Sequence, residues 1–196
     1  MDDSETLATV SSGAHTRKIK VRDYKKMLAA KPPDRQAITE MIYHRFYGRF
    51  IKPFLFPNNQ YRKHYKNGFA MMAASCLLIE ALESFRNGWE ETPRDVAGDK
   101  VFENFFKRED AFSQFRGKQF YKNVRCGLLH QGETTGGFTI QRKGPLINAK
   151  KKINANAFSG NLKASLACYN RELLAAEWDS ELWDNFRRKM RFIISH

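Results

Sequence analysis

Cysteine is scarce in this chain: Cys76, Cys126 and Cys168 are the only three in 196 residues. An odd, widely spaced set without a CxxC pair argues against a disulfide framework and a structural zinc site, and it fits a reducing compartment. Acidic residues are also short, with 21 Asp and Glu against 34 Lys and Arg, a net charge of +13 and a pI near 9.8. That imbalance predicts attraction to polyanions, nucleic acid ahead of an anionic membrane surface, although solubility alone also accounts for it. No hydrophobic run is long. The longest, "GFAMMAASCLLI", is cut by Glu80 and Glu83 well short of the ~18 residues expected of a membrane span. The opening "MDDSETLATVSSGAHT" has neither a basic start nor an apolar stretch, which argues against a secretory signal. The expectation is a cytoplasmic protein with no membrane partner. "GETTGG" lacks the Lys-Ser/Thr of a phosphate-binding loop and does not follow a strand, so nucleotide hydrolysis of that kind is excluded and no cofactor is expected.

What is present is core-forming material. Hydrophobic residues make up 42% and aromatics 13%, with 16 Phe, enough for one globular domain. Residues 1–23 read as a flexible polar tail leading into a basic arm, "RKIKVRDYKK", and 24–196 as a single helical domain. Asp34 is a plausible N-cap for a helix whose stripe is Ile38, Met41, Ile42 and Phe46 and whose pattern ends at Pro53. "PNNQYRK" reads as a loop. A helix from about Asn67 to Trp89 is apolar almost all round in its first half, as expected of the middle of a bundle or a partner-facing surface. After "VFENFF", Phe112, Phe115, Phe120, Val124 and Leu128 predict a long helix through "DAFSQFRGKQFYKNVRCGLLHQG", weakened by Gly117 and Gly127. Residues 137–160, with β-branched residues and a Gly-Pro turn, predict an insertion that is a small β-hairpin or an extended loop excursion. Two more helices follow, the last capped by Asp179 or Ser180 with Trp183, Phe186 and Met190 on one face. The fold class expected is mainly α, a helical bundle with that one insertion.

Within "YKNVRCGLLHQGETTGG", Arg125 precedes His130 by five residues, just before the helix breaks. Arginine is always charged and presents a planar fork suited to phosphate oxygens, whereas histidine titrates near neutrality and serves as acid or base. On an ideal α-helix residues five apart differ by about 140° in azimuth, which places the pair along a groove edge rather than on one stripe. Near a helix C-terminus the dipole would favour the protonated imidazole.

The "RCGLLH" segment resembles the R-x4–6-H signature of the HEPN superfamily, small helical-bundle proteins of which many are metal-independent ribonucleases in bacterial toxin–antitoxin, abortive-infection and CRISPR systems. With 16 arginines and 5 histidines, about one such match arises by chance, and "RFIISH" at Arg191–His196 matches too. Context favours Arg125 and His130: a strongly apolar helix precedes them and a hydrophilic break follows. The resemblance implies a HEPN-like bundle and a homodimer that brings two Arg–His pairs into one composite site. It also implies RNA cleavage without a metal and a toxin or antiviral-defence role with an antitoxin or activator protein. Family members commonly carry a polar residue directly after the arginine. Cys126 stands there, the feature that favours the alternative of a non-catalytic HEPN RNA-binding or protein-interaction module.

Other residues are weighed beside this pair. Glu80 or Glu83 is placed to orient Arg125 across the bundle, or simply forms a solvated face. Cys126 and His130 are spaced i, i+4, but two ligands without a third make no metal site, so none is expected. Tyr121 and Lys122 are candidates for stacking on or pairing with RNA, Tyr121 being equally a core residue. Lys150, Lys151 and Lys152 are candidate phosphate contacts on the insertion, or a solvated turn.

Overall fold

The computed structural model describes residues 1–12, 15–55, 67–93 and 96–196, all but the side chain of Ser12. The loop expected over "PNNQYRK" lies outside them. The architecture is mainly helical, with two small two-stranded sheets. By its contacts the chain divides into two compact units.

The first unit comprises residues 1–49, 84–91 and 166–196. Its start departs from the flexible tail and basic arm expected over 1–23. Strands β1 (Thr6–Ser12) and β2 (His15–Lys20) pair antiparallel, with a register shift between Thr6 and Ala8. Leu7, Ala8, Val10 and Ile19 are buried, so the polar reading of this segment overlooked enough apolar side chains to hold a sheet. Helix α1 (Val21–Ala29) follows directly and buries Val21 and Tyr24. Helix α2 (Arg35–Phe46) starts where expected, the Asp34 carboxylate accepting from the Ala37 amide at 3.0 Å. It then widens into a π-helical turn, Tyr47–Ile51, before a 3-10 turn, Lys52–Phe54, that contains Pro53. The last helix of the chain, α7 (Glu181–Ser195), is capped by Ser180 and buries Trp183, Phe186 and Met190, the face expected from their spacing. Phe85 stands between Phe46 and Phe186, with ring centroids at 5.2 and 5.5 Å.

The second unit, residues 50–83 and 92–165, contains most of helix α3 (Gly68–Asn87), helix α4 (Gly98–Arg108) and the start of α6 (Ala155–Ala175). Helix α3 runs on past Glu80 and Glu83. An 18-residue window in it has mean hydropathy 1.4, long and apolar enough for a membrane span by length and composition alone, and 61% of that window is buried. The core is a cluster of phenylalanines, 102, 105, 106, 112, 115, 120 and 158. Phe112 meets Phe158 at 4.8 Å and Phe106 meets Phe120 edge-on at 5.1 Å.

That cluster explains one corrected boundary. The long helix expected from residue 110 starts only with α5 (Gly117–Phe120). Phe112 and Phe115 lie on the connection from α4 and enter the core from there. Gly117 sits where α4 comes closest: a Cβ there would stand 2.4 Å from the Glu103 backbone nitrogen, and the Gly117 amide donates to Glu103 Oε2 at 2.8 Å. A glycine that reads as a weak point inside a helix is therefore the starting residue of one.

The insertion over 137–160, expected as a hairpin or an extended excursion, is not a simple hairpin. Strands β3 (Thr139–Gln141) and β4 (Lys152–Asn154) pair in parallel, while an antiparallel bridge joins Ile147 to Ile153. The turn read as the hairpin tip reverses the chain against β4 itself. This leaves the opposite edge of β4 for β3, with Gly144 (φ 87°) and Lys151 (φ 55°) making the reversals.

Candidate functional site

Arg125 and His130 lie on the continuation of α5, which passes into two π-helical segments, Tyr121–Arg125 and Gly127–Gln131, on either side of Cys126. Hydrogen bonds in a π-helix reach back five residues instead of four. The Cys126 amide donates to the Tyr121 carbonyl, and the Gly132 amide to that of Gly127. With more than four residues per turn, residue 130 sits about one turn above residue 125 instead of 140° around the axis. Arg125 Nη1 and His130 Nε2 accordingly lie 3.4 Å apart. The wide winding turns an unfavourable α-helical spacing into side-chain contact. Gly127 lets the chain after the helix fold back closely, because a Cβ there would stand 2.4 Å from the Glu133 carbonyl oxygen.

Arg125 is held from α3. Its Nε donates to Glu80 Oε1 at 2.7 Å and its Nη2 to Glu80 Oε2 at 3.3 Å, a two-point fork that leaves Nη1 directed to the histidine. The hydrogen bonds to Glu80 raise the guanidinium's pKa further, so Arg125 is a permanent cation. The guanidinium also lies over the Tyr121 ring, 5.5 Å from its centroid. His130 and the neighbouring Leu129 are exposed, as is Leu77 on α3, one turn before Glu80. Beside the pair is a cavity of about 250 Å³ lined by Glu80, Thr92, Pro93, Gly98, Tyr121 and Arg125 among others. The arrangement offers a fixed cation in the wall of the hollow and an accessible imidazole in contact with that cation.

The break after the helix is braced against it. The Thr135 amide donates to the Asn123 carbonyl at 2.9 Å, and the Thr135 hydroxyl to Asn123 Oδ1 at 3.0 Å. Asn123 gave no signal in the sequence, since its role depends on a fold-back twelve residues later.

Of the two acids singled out, Glu80 reaches Arg125. Glu83 is buried and pairs with Arg108 of α4. Three positions on α3 separate the two side chains by about 60° in azimuth, yet Glu80 meets Arg125 and Glu83 meets Arg108 of α4. Tyr121 is half-buried, packed against Gly98 and Phe102, and burial followed by the Cys126 thiol raises its pKa. It forms a wall of the cavity, with the Arg125 guanidinium over its ring. Cys126 is half-buried beside it, while Lys122 is exposed. The three lysines of the insertion differ. Lys151 Nζ donates to the Gly136 carbonyl at 3.0 Å and lies over the Phe138 ring, so its charge is used within the fold. The Lys150 and Lys152 side chains are exposed, and both backbone amides donate to Asn148 Oδ1. Among the described residues no group of three or more His, Cys, Asp or Glu is placed to hold a metal ion. The sequence matches no protein-family model, and searches of curated proteins and of solved structures return no match for the chain.

Proposed function

We propose that this chain is a HEPN-type, metal-independent endoribonuclease that acts as a homodimer through Arg125 and His130. The observation that carries the reading is the 3.4 Å approach of the two side chains, with Arg125 locked by Glu80 and His130 open to solvent. In the reaction, one imidazole takes the proton from a ribose 2′-hydroxyl as its oxygen attacks the adjacent phosphorus. A second imidazole protonates the departing 5′-oxygen. The products are a 2′,3′-cyclic phosphate and a free 5′-hydroxyl. Arg125 would offset the charge that builds on the non-bridging oxygens. One chain supplies one histidine, so two chains related by a two-fold axis supply the pair. The exposed Leu77 and Leu129, flanking Glu80 and His130 in sequence, support an interface at this place. A cytoplasmic toxin or antiviral-defence role, with an antitoxin or activator protein as partner, comes with the family reading.

The second reading is a HEPN module that binds RNA or a partner protein without cutting. It is favoured by Cys126, which stands half-buried at the position where a polar residue commonly follows the arginine. Incubation with mixed RNA in EDTA, beside His130→Ala and Arg125→Ala, separates the two. Cleavage leaving cyclic phosphate, lost in both variants, supports the nuclease. Salt-sensitive RNA binding by a folded dimer that cuts nothing supports the binding module.

A further inference from the structure

We propose that the first unit contains a phosphate-binding site, independent of the Arg125–His130 pair, in the cavity between β1 and the C-terminal end of α2. The cavity is about 220 Å³, ample for the five heavy atoms of a phosphate, and is lined by Thr6, Leu7, Thr9, His44, Arg45 and Arg49, with Ala8 and Gly48. Arg45 is 7% exposed and Arg49 follows it by four residues as α2 widens into the π-helical turn. Two guanidiniums one turn apart repel each other, and a buried cation without a counter-charge is costly. Neither has a carboxylate partner among the described residues. Arg45 Nη1 donates to the Leu7 carbonyl at 2.7 Å.

That carbonyl is free to accept because Leu7 falls at the register shift of the β1–β2 ladder, where the regular pairing is interrupted. The α2 terminus contributes a partial negative charge of ~0.5 at most, against two full positive charges. A net excess of cation therefore remains around the hollow. Burial, followed by the neighbouring Arg49, lowers the Arg45 pKa to about 10, and burial lowers that of Arg49, the direction expected when nothing nearby offsets the charge. A phosphate fits what is missing. Its oxygens accept from the remaining guanidinium N–H groups in forked geometry, and the Thr6 and Thr9 hydroxyls supply further donors. A lone carboxylate would satisfy one arginine and leave the other. The site is thus assigned to a phosphate group, whether of a free phosphate, a nucleotide monoester or a nucleic-acid diester.

The test is titration with inorganic phosphate at constant ionic strength, chloride making the balance, followed by calorimetry and phosphorus NMR. The host is the full chain carrying Arg125→Ala, so the other Arg–His site does not contribute. The expected result is saturable binding that weakens about tenfold or more in Arg49→Ala and is partly kept in Arg49→Lys. Arg49 is the exposed member of the pair, so its loss leaves the fold intact, whereas Arg45→Met removes a buried bond to Leu7. Repeating the titration with adenosine 5′-monophosphate and with a short oligonucleotide lacking terminal phosphates identifies the source by which binds more tightly. Phosphate binding that does not saturate, or that Arg49→Ala leaves unchanged, overturns the proposal.

Discussion

Arg125 and Arg45 carry the same guanidinium into opposite surroundings. Arg125 in the second unit meets a two-point carboxylate from α3, and the contact raises its pKa. Arg45 in the first unit meets a backbone carbonyl and a second arginine, and burial lowers its pKa to about 10. A paired arginine is a fixed tool, with charge offset and direction set by its partner. An unpaired one in a hollow leaves a charge for something else to satisfy. Local helix type does not distinguish them, since Arg45 lies just before a π-helical turn and Arg125 within one.

The largest effect expected is on the paired side. His130→Ala and Arg125→Ala should each lower RNA cleavage by about 100-fold or more, the usual contribution of a positioned acid–base group for the first and of electrostatic stabilisation for the second, with unchanged circular dichroism. Next comes the contrast between two carboxylates on one helix. Glu80→Gln keeps the shape but removes the charge that orients Arg125, and should lower kcat/KM by roughly tenfold. Glu83→Gln should leave cleavage by the folded protein unchanged and lower stability by about 2 kcal/mol in urea titration, since it leaves Arg108 beside a buried neutral amide. Equal behaviour of the two variants would break the distinction drawn between orienting and structural acids.

Alkaline pH probes the first unit. Burial raises the pKa values of Tyr24 and Tyr169 above the ordinary tyrosine value near 10. The folded state keeps those protons where the unfolded chain gives them up. Their contribution to stability is therefore fully present below pH ~10 and falls as pH rises above it. Thermal unfolding from pH 8 to 11 should show the decline, and Tyr24→Phe should make it shallower. The smallest effect belongs to the insertion. Lys150→Ala or Lys152→Ala should each lower the salt slope of single-stranded RNA binding by about 0.7, one phosphate contact apiece. Lys151→Ala should instead disturb the turn that its Nζ ties to Gly136.

The elements legible in the sequence are those whose cues are local. The Asp34 and Ser180 caps, the Ile38–Phe46 stripe and the Trp183, Phe186 and Met190 face rest on residues within a turn or two of one another. What was misread depends on distant partners. Phe112 and Phe115 mimic a helical stripe because they fill the same core as Phe158, from a connection instead of a helix. The parallel pairing of β3 with β4 required knowing which edge of β4 the intervening turn would occupy. The opening hairpin looked polar because its apolar residues are few. At the candidate site, Arg125 and His130 were visible as a pattern, and Glu80 as one of two acids. The choice of Glu80 over Glu83 is a matter of helix phase against a segment 45 residues away.

The π-helical winding through residues 121–131 changes what a spacing means. Counted along the chain, the arginine and the histidine are five apart; counted in turns, they are one apart. In an α-helix that same neighbourhood would belong to positions separated by four. Side chains at the site are matched by height along an axis, and the number of residues per rung is itself set by the fold. A pattern that allows a range of intervening residues is then a rule of constant elevation, written in a unit whose length varies.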